Sequence, residues 1–196
     1  MKIILIIAGF ILMGFVVVQL FAFKSQRNIE TYNYIVQKKF DSFEIRTYEK
    51  TLFTTVQLPT SDFKNSSGKG FSVLAGYIFG GNDRNEKISM TSPVAMSIED
   101  SMTMMFMVPK KYSLAELPKP NNSLITFQEV PSKTVAAIRF SGWANDQKIE
   151  KYKRELTLSL EKEGINYTDQ FFFFGYNAPY ELFDRRNEII VELQQD

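Results

Sequence analysis

Gly80-Gly81-Asn82-Asp83-Arg84-Asn85-Glu86-Lys87-Ile88-Ser89-Met90-Thr91-Ser92-Pro93-Val94, continuing through a methionine-rich run to Val108, is the stretch on which the fold turns. Two glycines and an asparagine tolerate positive φ and stop the pattern before them. A period of two then begins. Ile88, Met90, Val94, Met96 and Ile98 take even positions, and Lys87, Ser89, Thr91, Pro93 and Ser97 take odd ones; only Ser92 and Ala95 blur it. Such alternation predicts a half-buried strand. Pro93 has no N–H to give a ladder, so it marks an edge or a break. Glu99-Asp100-Ser101 turns the chain, and Met102 to Val108 runs back, apolar on both faces. This hairpin is the candidate wall of a hydrophobic pocket.

Working outward, a helix precedes the hairpin. Phe71, Leu74, Ala75, Tyr77 and Ile78 approach a 3.6-residue period, Ser66 or Ser67 is placed to cap its start, and Gly80-Gly81-Asn82 ends it. Strand patterns come earlier, at Tyr32 to Val36, Phe43 to Tyr48 and Leu52 to Leu58. Beyond the hairpin, Lys110 to Ser123 reads as a loop with two prolines and two asparagines. The plan then repeats. Strand patterns occupy Ile125 to Val130 and Thr134 to Phe140. Asn145 or Asp146 caps a second helix with the stripe Ile149, Tyr152, Leu156 and Leu160, and Gly164 ends it. Phe171 to Tyr176 and Glu188 to Leu193 close the chain as strands. Strand-helix-strand-strand, given twice, predicts an α+β domain: a distorted antiparallel β-barrel from two βαββ pseudo-repeats with two helices.

The N-terminus reads differently. Ile3 to Phe23 is 21 residues without a charge, and about 20 apolar residues span a bilayer. The core is longer than that of a cleaved signal peptide and lacks a small-x-small site before its end. The expected layout is therefore one N-terminal transmembrane helix over residues 1–24, a linker over 25–31 and a domain over 32–196. Lys2 before the span and Lys24 and Arg27 after it nearly balance, so charge does not orient it. A short tail ahead of a large domain favours a single-pass anchor with the domain outside the cytoplasm.

Composition removes several chemistries. Of 23 basic residues only Lys2 precedes the span, so 22 basic and 22 acidic side chains remain from Lys24 onward. A balanced charge provides no field for nucleic acid. Without histidine or cysteine there is no Ser-His or Cys-His pair, no imidazole or thiolate zinc site, and no disulfide. Catalysis would fall to carboxylate, Tyr, Lys or Ser. Glu44, Glu129, Glu181 and Glu188 are the carboxylates to watch, each read first as solvated or structurally bonded.

Lys87-Ile88-Ser89-Met90-Thr91-Ser92-Pro93-Val94 resembles the signature of the SOUL haem-binding proteins. Three further stretches agree in order. Tyr34-Ile35-Val36 with Phe43-Glu44-Ile45-Arg46-x-Tyr48 resembles that family's opening. Phe71-x-x-Leu74-Ala75-x-Tyr77-Ile78-Phe79-Gly80 is similar to its first helix, and Gly175 to Pro179 with Arg185 to Glu188 to its closing hairpin. The resemblance implies a barrel of two βαββ halves and non-covalent binding of haem b, a porphyrin or a similar flat ligand beside the first helix.

Leu74, Tyr77 and Ile78 on that helix, and Met90, Met96, Met104 and Phe106 on the hairpin, are then the candidate ligand contacts. Arg185 and Arg186 are candidates for acidic groups at the rim, with bonding to loop carbonyls or to Asp184 as the plainer reading. No metal-ligating residue is assigned, because some family members are thought to use a histidine that this chain lacks. Two other readings stay open: a hydrolase of small hydrophobic molecules using a pocket Glu, by analogy of fold alone, and a ligand-free, membrane-tethered interaction domain.

Overall fold

The computed structural model describes residues 7, 13, 14, 29–59, 63–98, 101–178, 181 and 183–194. The expected transmembrane helix over residues 1–24 therefore lies outside the described residues, apart from Ile7, Met13 and Gly14. Among the described residues no helix is long and apolar enough to cross a membrane.

The first half comprises β1 (Glu30–Thr31), β2 (Tyr34–Lys39), β3 (Glu44–Tyr48), β4 (Thr51–Gln57), α1 (Phe63–Ile78), β5 (Thr91–Ser92), β6 (Val94–Ser97) and β7 (Thr103–Met107). The second comprises β8 (Ile125–Val130), β9 (Lys133–Ser141), α2 (Asp146–Lys162), β10 (Tyr167–Gly175) and β11 (Arg186–Leu193). Nine strands form one antiparallel sheet in the order β2-β3-β9-β11-β10-β6-β7-β4-β8. The two halves meet where β10 pairs β6, with Phe173 opposite Met96. Each half lends a strand to the other: β3 pairs β9, and β8 pairs β4. The predicted repeat is present, but its opening strands are exchanged.

The sheet curls strongly. Six strand spacings of about 4.8 Å would set β3 and β4 roughly 29 Å apart in a flat sheet. Yet the Tyr32 ring lies 4.4 Å from that of Tyr48 on β3 and 5.3 Å from that of Phe53 on β4. The expected barrel does not close, because β2 and β8 remain unpaired edges. The convex face packs on both helices through Leu74, Met104, Phe106, Ile138, Leu156 and Leu160. The concave face holds a second core around Tyr32, Tyr48, Phe53 and Phe174. The alternation of β7 decides this sorting: Met104 and Phe106 face the helices, Met105 and Met107 the concavity.

Three expectations change. The hairpin forms, with Met96 opposite Met104 and Ala95 opposite Met105, but residues 85–90 are not a strand and regular pairing starts at Thr91. Pro93, without an N–H, separates β5 from β6. Ser66 and Ser67 do not cap α1, which begins earlier, at Phe63. Its added turn is held by tertiary contact: the Phe63 ring sits edge-on to Phe173 at 5.1 Å, and the Phe63 N–H donates to Asp146 Oδ1 at 2.9 Å. The expected linker is partly structured, since Glu30–Thr31 pairs in parallel with Thr91–Ser92. Elsewhere the signals hold. Gly80 (φ 110°) ends α1, Gly164 (φ 68°) follows α2, and Asn145 caps α2 by accepting from the Lys148 N–H at 2.9 Å.

Candidate functional site

One face of α1, the loop after β9 and the loop before β11 enclose a cleft of about 590 Å³, within the ~300–1,000 Å³ of small-molecule sites. Its floor is the centre of the sheet: Met96 on β6, Met104 on β7 and Phe173 on β10. Alternation puts all three side chains on the convex face. Phe63 and Phe71, two turns apart on α1, form one wall. Ser67 and Gly68 lie between them, and a Cβ at Gly68 would meet nothing within 4 Å, so the groove stays open there. Trp143 and Ala144 form the opposite wall.

Arg185 stands at the rim, its guanidinium 3.9 Å from the centre of the Trp143 ring. Its Nη1 donates to the carbonyls of Ala178 at 2.9 Å and Glu181 at 2.6 Å, while Nε has no partner. Burial lowers its pKa, with Glu181 pulling the other way; the group stays cationic at neutral pH. Asp146 is the acidic side chain of the cleft, and its Oδ1 is occupied by the Phe63 N–H.

The structure thus brings Met96, Met104 and Arg185 together in one cleft. Phe106 lies directly beneath it, its ring edge-on to Phe71 at 5.3 Å. Leu74 and Ile78 point from α1 into the sheet, fully within the core. Tyr77 also faces inward. Its hydroxyl donates to the Pro118 carbonyl at 2.9 Å, and burial, helped by Asp83, pushes its pKa up to about 12. Met90 is half-buried against the same core. Arg186, next to Arg185, goes elsewhere, because successive residues of a strand point to opposite faces. Sequence reasoning missed Phe63, Phe71, Phe173 and Trp143 as cleft residues. The 63-67-71 spacing was the available signal, hidden by starting the helix too late.

A model of the SOUL heme-binding protein family matches residues 29–192. The chain belongs to that family. Heme-binding protein 2 of Mus musculus is 28% identical over 157 residues, covering 76% of each chain. Heme-binding protein 1 of Sus scrofa is 25% identical over 174 residues, covering 83% of this chain and 92% of that one. Among solved structures, the C-terminal domain of EcmrR superposes with a TM-score of 0.62 at 11% identity, over 79% of this chain and 98% of that domain. At that identity the likeness concerns the fold.

The donor set of this SOUL domain fits a flat apolar ring better than a strongly ligated metal. The chain has no histidine, and the cleft offers only the thioether sulfurs of Met96 and Met104 as soft ligands. No group of three or more acidic side chains among the described residues could hold a metal ion.

On the concave side, the SOUL domain carries a separate charged cluster. Glu188, 0% exposed, accepts from Arg46 Nη1 and from the Tyr176 hydroxyl, both at 2.8 Å on Oε2. Arg186 donates to Oε1 from Nε at 3.0 Å and from Nη2 at 2.8 Å. Burial opposes ionisation, but Arg46 and Arg186 outweigh it and hold the carboxyl below its usual range. Burial likewise opposes the charge on Arg46, and Glu188 more than restores it. Glu44 also binds Arg46, at 2.9 Å, and Glu129 pairs with exposed Lys50. Glu181 accepts from Asn177 Nδ2 at 2.7 Å.

Proposed function

We propose that this SOUL-family domain binds haem, a metal-free porphyrin or a similarly flat hydrophobic ligand, non-covalently, in the cleft beside α1. The observation that carries this reading is the cleft itself: aromatic and thioether side chains on the floor and both walls, with the Arg185–Trp143 pair at the mouth. Burial and ring contact would provide most of the affinity, and the rim guanidinium would orient one acidic group. Bound haem would supply its own iron chemistry. This chain's residues would hold the ring, exclude water and compensate charge. Without an imidazole, recognition is of the ring more than of the iron. The names and family of the relatives support the same ligand class.

We read the cleft as a binding site and not a hydrolytic one. Its acidic side chain, Asp146, accepts from a backbone N–H, and the deeply buried Glu188 is neutralised by two arginines on the other face of the sheet. The reading extends to tethering: the uncharged run from Ile3 to Phe23 would hold the domain at a membrane, with the domain on the extracytoplasmic side.

Absorbance titration of the full chain with haemin and with protoporphyrin IX tests the ligand. Saturable binding of both, at similar affinity, is the expected result. Saturation by neither would discard the tetrapyrrole reading. Binding of haemin alone would point instead to a thioether ligand, Met96 or Met104.

A further inference from the structure

The concave face contains a second cleft, of about 530 Å³, on the side of the sheet opposite both helices. Aromatic and thioether groups make its walls: Phe53 on β4, Met105 on β7, and Phe172 and Phe174 on β10. Lys133 and Glu192 line it as an ion pair at 3.5 Å, and the Lys133 ammonium lies 4.3 Å from the centre of the Phe172 ring. Both charges are compensated, so the cleft has apolar walls and no net charge of its own from this pair.

Tyr32 is the unusual element. It enters from the segment after β1, anchored by its own N–H donating to the Ser92 carbonyl at 2.9 Å. The residue is 4% exposed and lines the cleft, yet its hydroxyl has no hydrogen-bond partner. Buried tyrosine hydroxyls usually find one. The neighbouring rings of Tyr48, Phe53 and Phe174 fill three of its sides without bonding the oxygen. Burial, reinforced by Tyr48 and Glu192, raises the pKa of this hydroxyl, so it remains protonated and available as a donor.

We propose that the concave cleft is a second ligand site, taking a small, flat, neutral aromatic molecule whose carbonyl accepts the Tyr32 hydroxyl proton. The aromatic walls select a planar apolar body. The unpaired hydroxyl selects an acceptor on it, because a ligand that satisfies a buried donor gains what a plain hydrocarbon cannot. Neutrality follows from the ion pair: an added carboxylate would face Glu192, and an added cation would compete with Lys133. The site is independent of the cleft beside α1, since the sheet lies between them.

The probe is Prodan, a neutral naphthyl ketone whose emission reports both polarity and hydrogen bonding to its carbonyl. It is titrated into the full chain in detergent, with variants at matched detergent so that micelle partition cancels. The expected result is saturable, blue-shifted binding that Tyr32→Phe weakens about tenfold, with a change in the bound emission as the hydroxyl is removed. Thr103→Trp, which fills the cleft from β7, should abolish binding. Trp143→Ala and prior saturation with protoporphyrin IX should leave it unchanged, separating this site from the other. Binding that is absent, that survives both Tyr32→Phe and Thr103→Trp, or that is competed by protoporphyrin IX would overturn the proposal.

Discussion

The Phe63 backbone N–H donates to Asp146 Oδ1 at 2.9 Å: the first residue of α2 caps the first residue of α1. The N-termini of the two helices therefore share a carboxylate, at the place where the cleft beside α1 is narrowed by both. Asp146 does for α1 what its own sequence leaves undone, since no acidic residue lies in the first turn of α1. A cap of this type contributes about 1 kcal/mol. Asp146→Ala should lose about that much in urea unfolding, and Asp146→Asn, which keeps an acceptor, clearly less. Equal losses from the two variants would mean that the bond contributes little.

Arg185 is the rim cation of the cleft, and its charge should matter only for acidic ligands. A hydrogen bond to a charged group contributes about 1.5–3 kcal/mol, so Arg185→Gln should weaken protoporphyrin IX binding about tenfold or more. The dimethyl ester, with no carboxylate to meet the guanidinium, should bind the variant and the parent alike. Unchanged ester affinity also verifies that the loop carbonyls of Ala178 and Glu181 keep their places when Arg185 is replaced.

Glu188 should be a stability residue with an acid signature. Its folded pKa is depressed by Arg46 and Arg186. The stabilisation is therefore present above the unfolded carboxylate value of about 4.5. It is lost as pH falls below that value and through the folded pKa. Glu188→Gln keeps the shape but leaves two buried guanidiniums uncompensated, which costs about 3–5 kcal/mol. Unfolding free energy measured from pH 7 down to pH 3 should show the parent losing stability on the acid side, and the variant starting lower with a shallower acid slope.

Two glycines of α1 should respond in opposite directions. A Cβ at Gly70 would sit 2.8 Å from Leu58 Cδ1 and 3.2 Å from Met104 Sδ. The colliding atoms are side-chain ends that can shift, so Gly70→Ala should destabilise near the low end of the ~1–3 kcal/mol of overpacking. It should also weaken porphyrin binding, by moving the Met104 sulfur that floors the cleft. Gly68→Ala meets open space and should stabilise by about 0.4–1 kcal/mol through helix propensity. Thermal melts of the two variants, side by side, check both signs.

The order of elements was legible because periodicity and punctuation agreed. The methionine hairpin alternates, Gly80 and Gly164 end helices with positive φ, and Asn145 carries a capping side chain. The cleft was legible only in part. Met96 and Met104 were found from alternation and Arg185 from the closing hairpin. Leu74, Tyr77 and Ile78 were expected to face the ligand, but the sheet claims the most apolar stripe of a helix first. The opposite edge, Phe63 to Phe71, is left to face the groove. Phe63 itself was hidden, since Ser61 to Gly70 has weak helix propensity and a tertiary cap from Asp146 overrides it.

What the sequence by itself determined was the α+β class, the internal repeat, the family resemblance, the absence of imidazole and thiolate chemistry, and the uncharged N-terminal run. These follow from residue type and spacing, which act locally. Only the tertiary structure decided that β3 and β8 are exchanged between halves, that the sheet curls without closing, and that neighbours Arg185 and Arg186 serve opposite faces. It also decided that two separate clefts exist, one on each face. Strand pairing joins residues such as Tyr48 and Lys133 that are far apart in the chain. The curvature that then brings Tyr32 between Tyr48 and Phe53 arises from the summed twist and packing of nine strands, which no local pattern encodes.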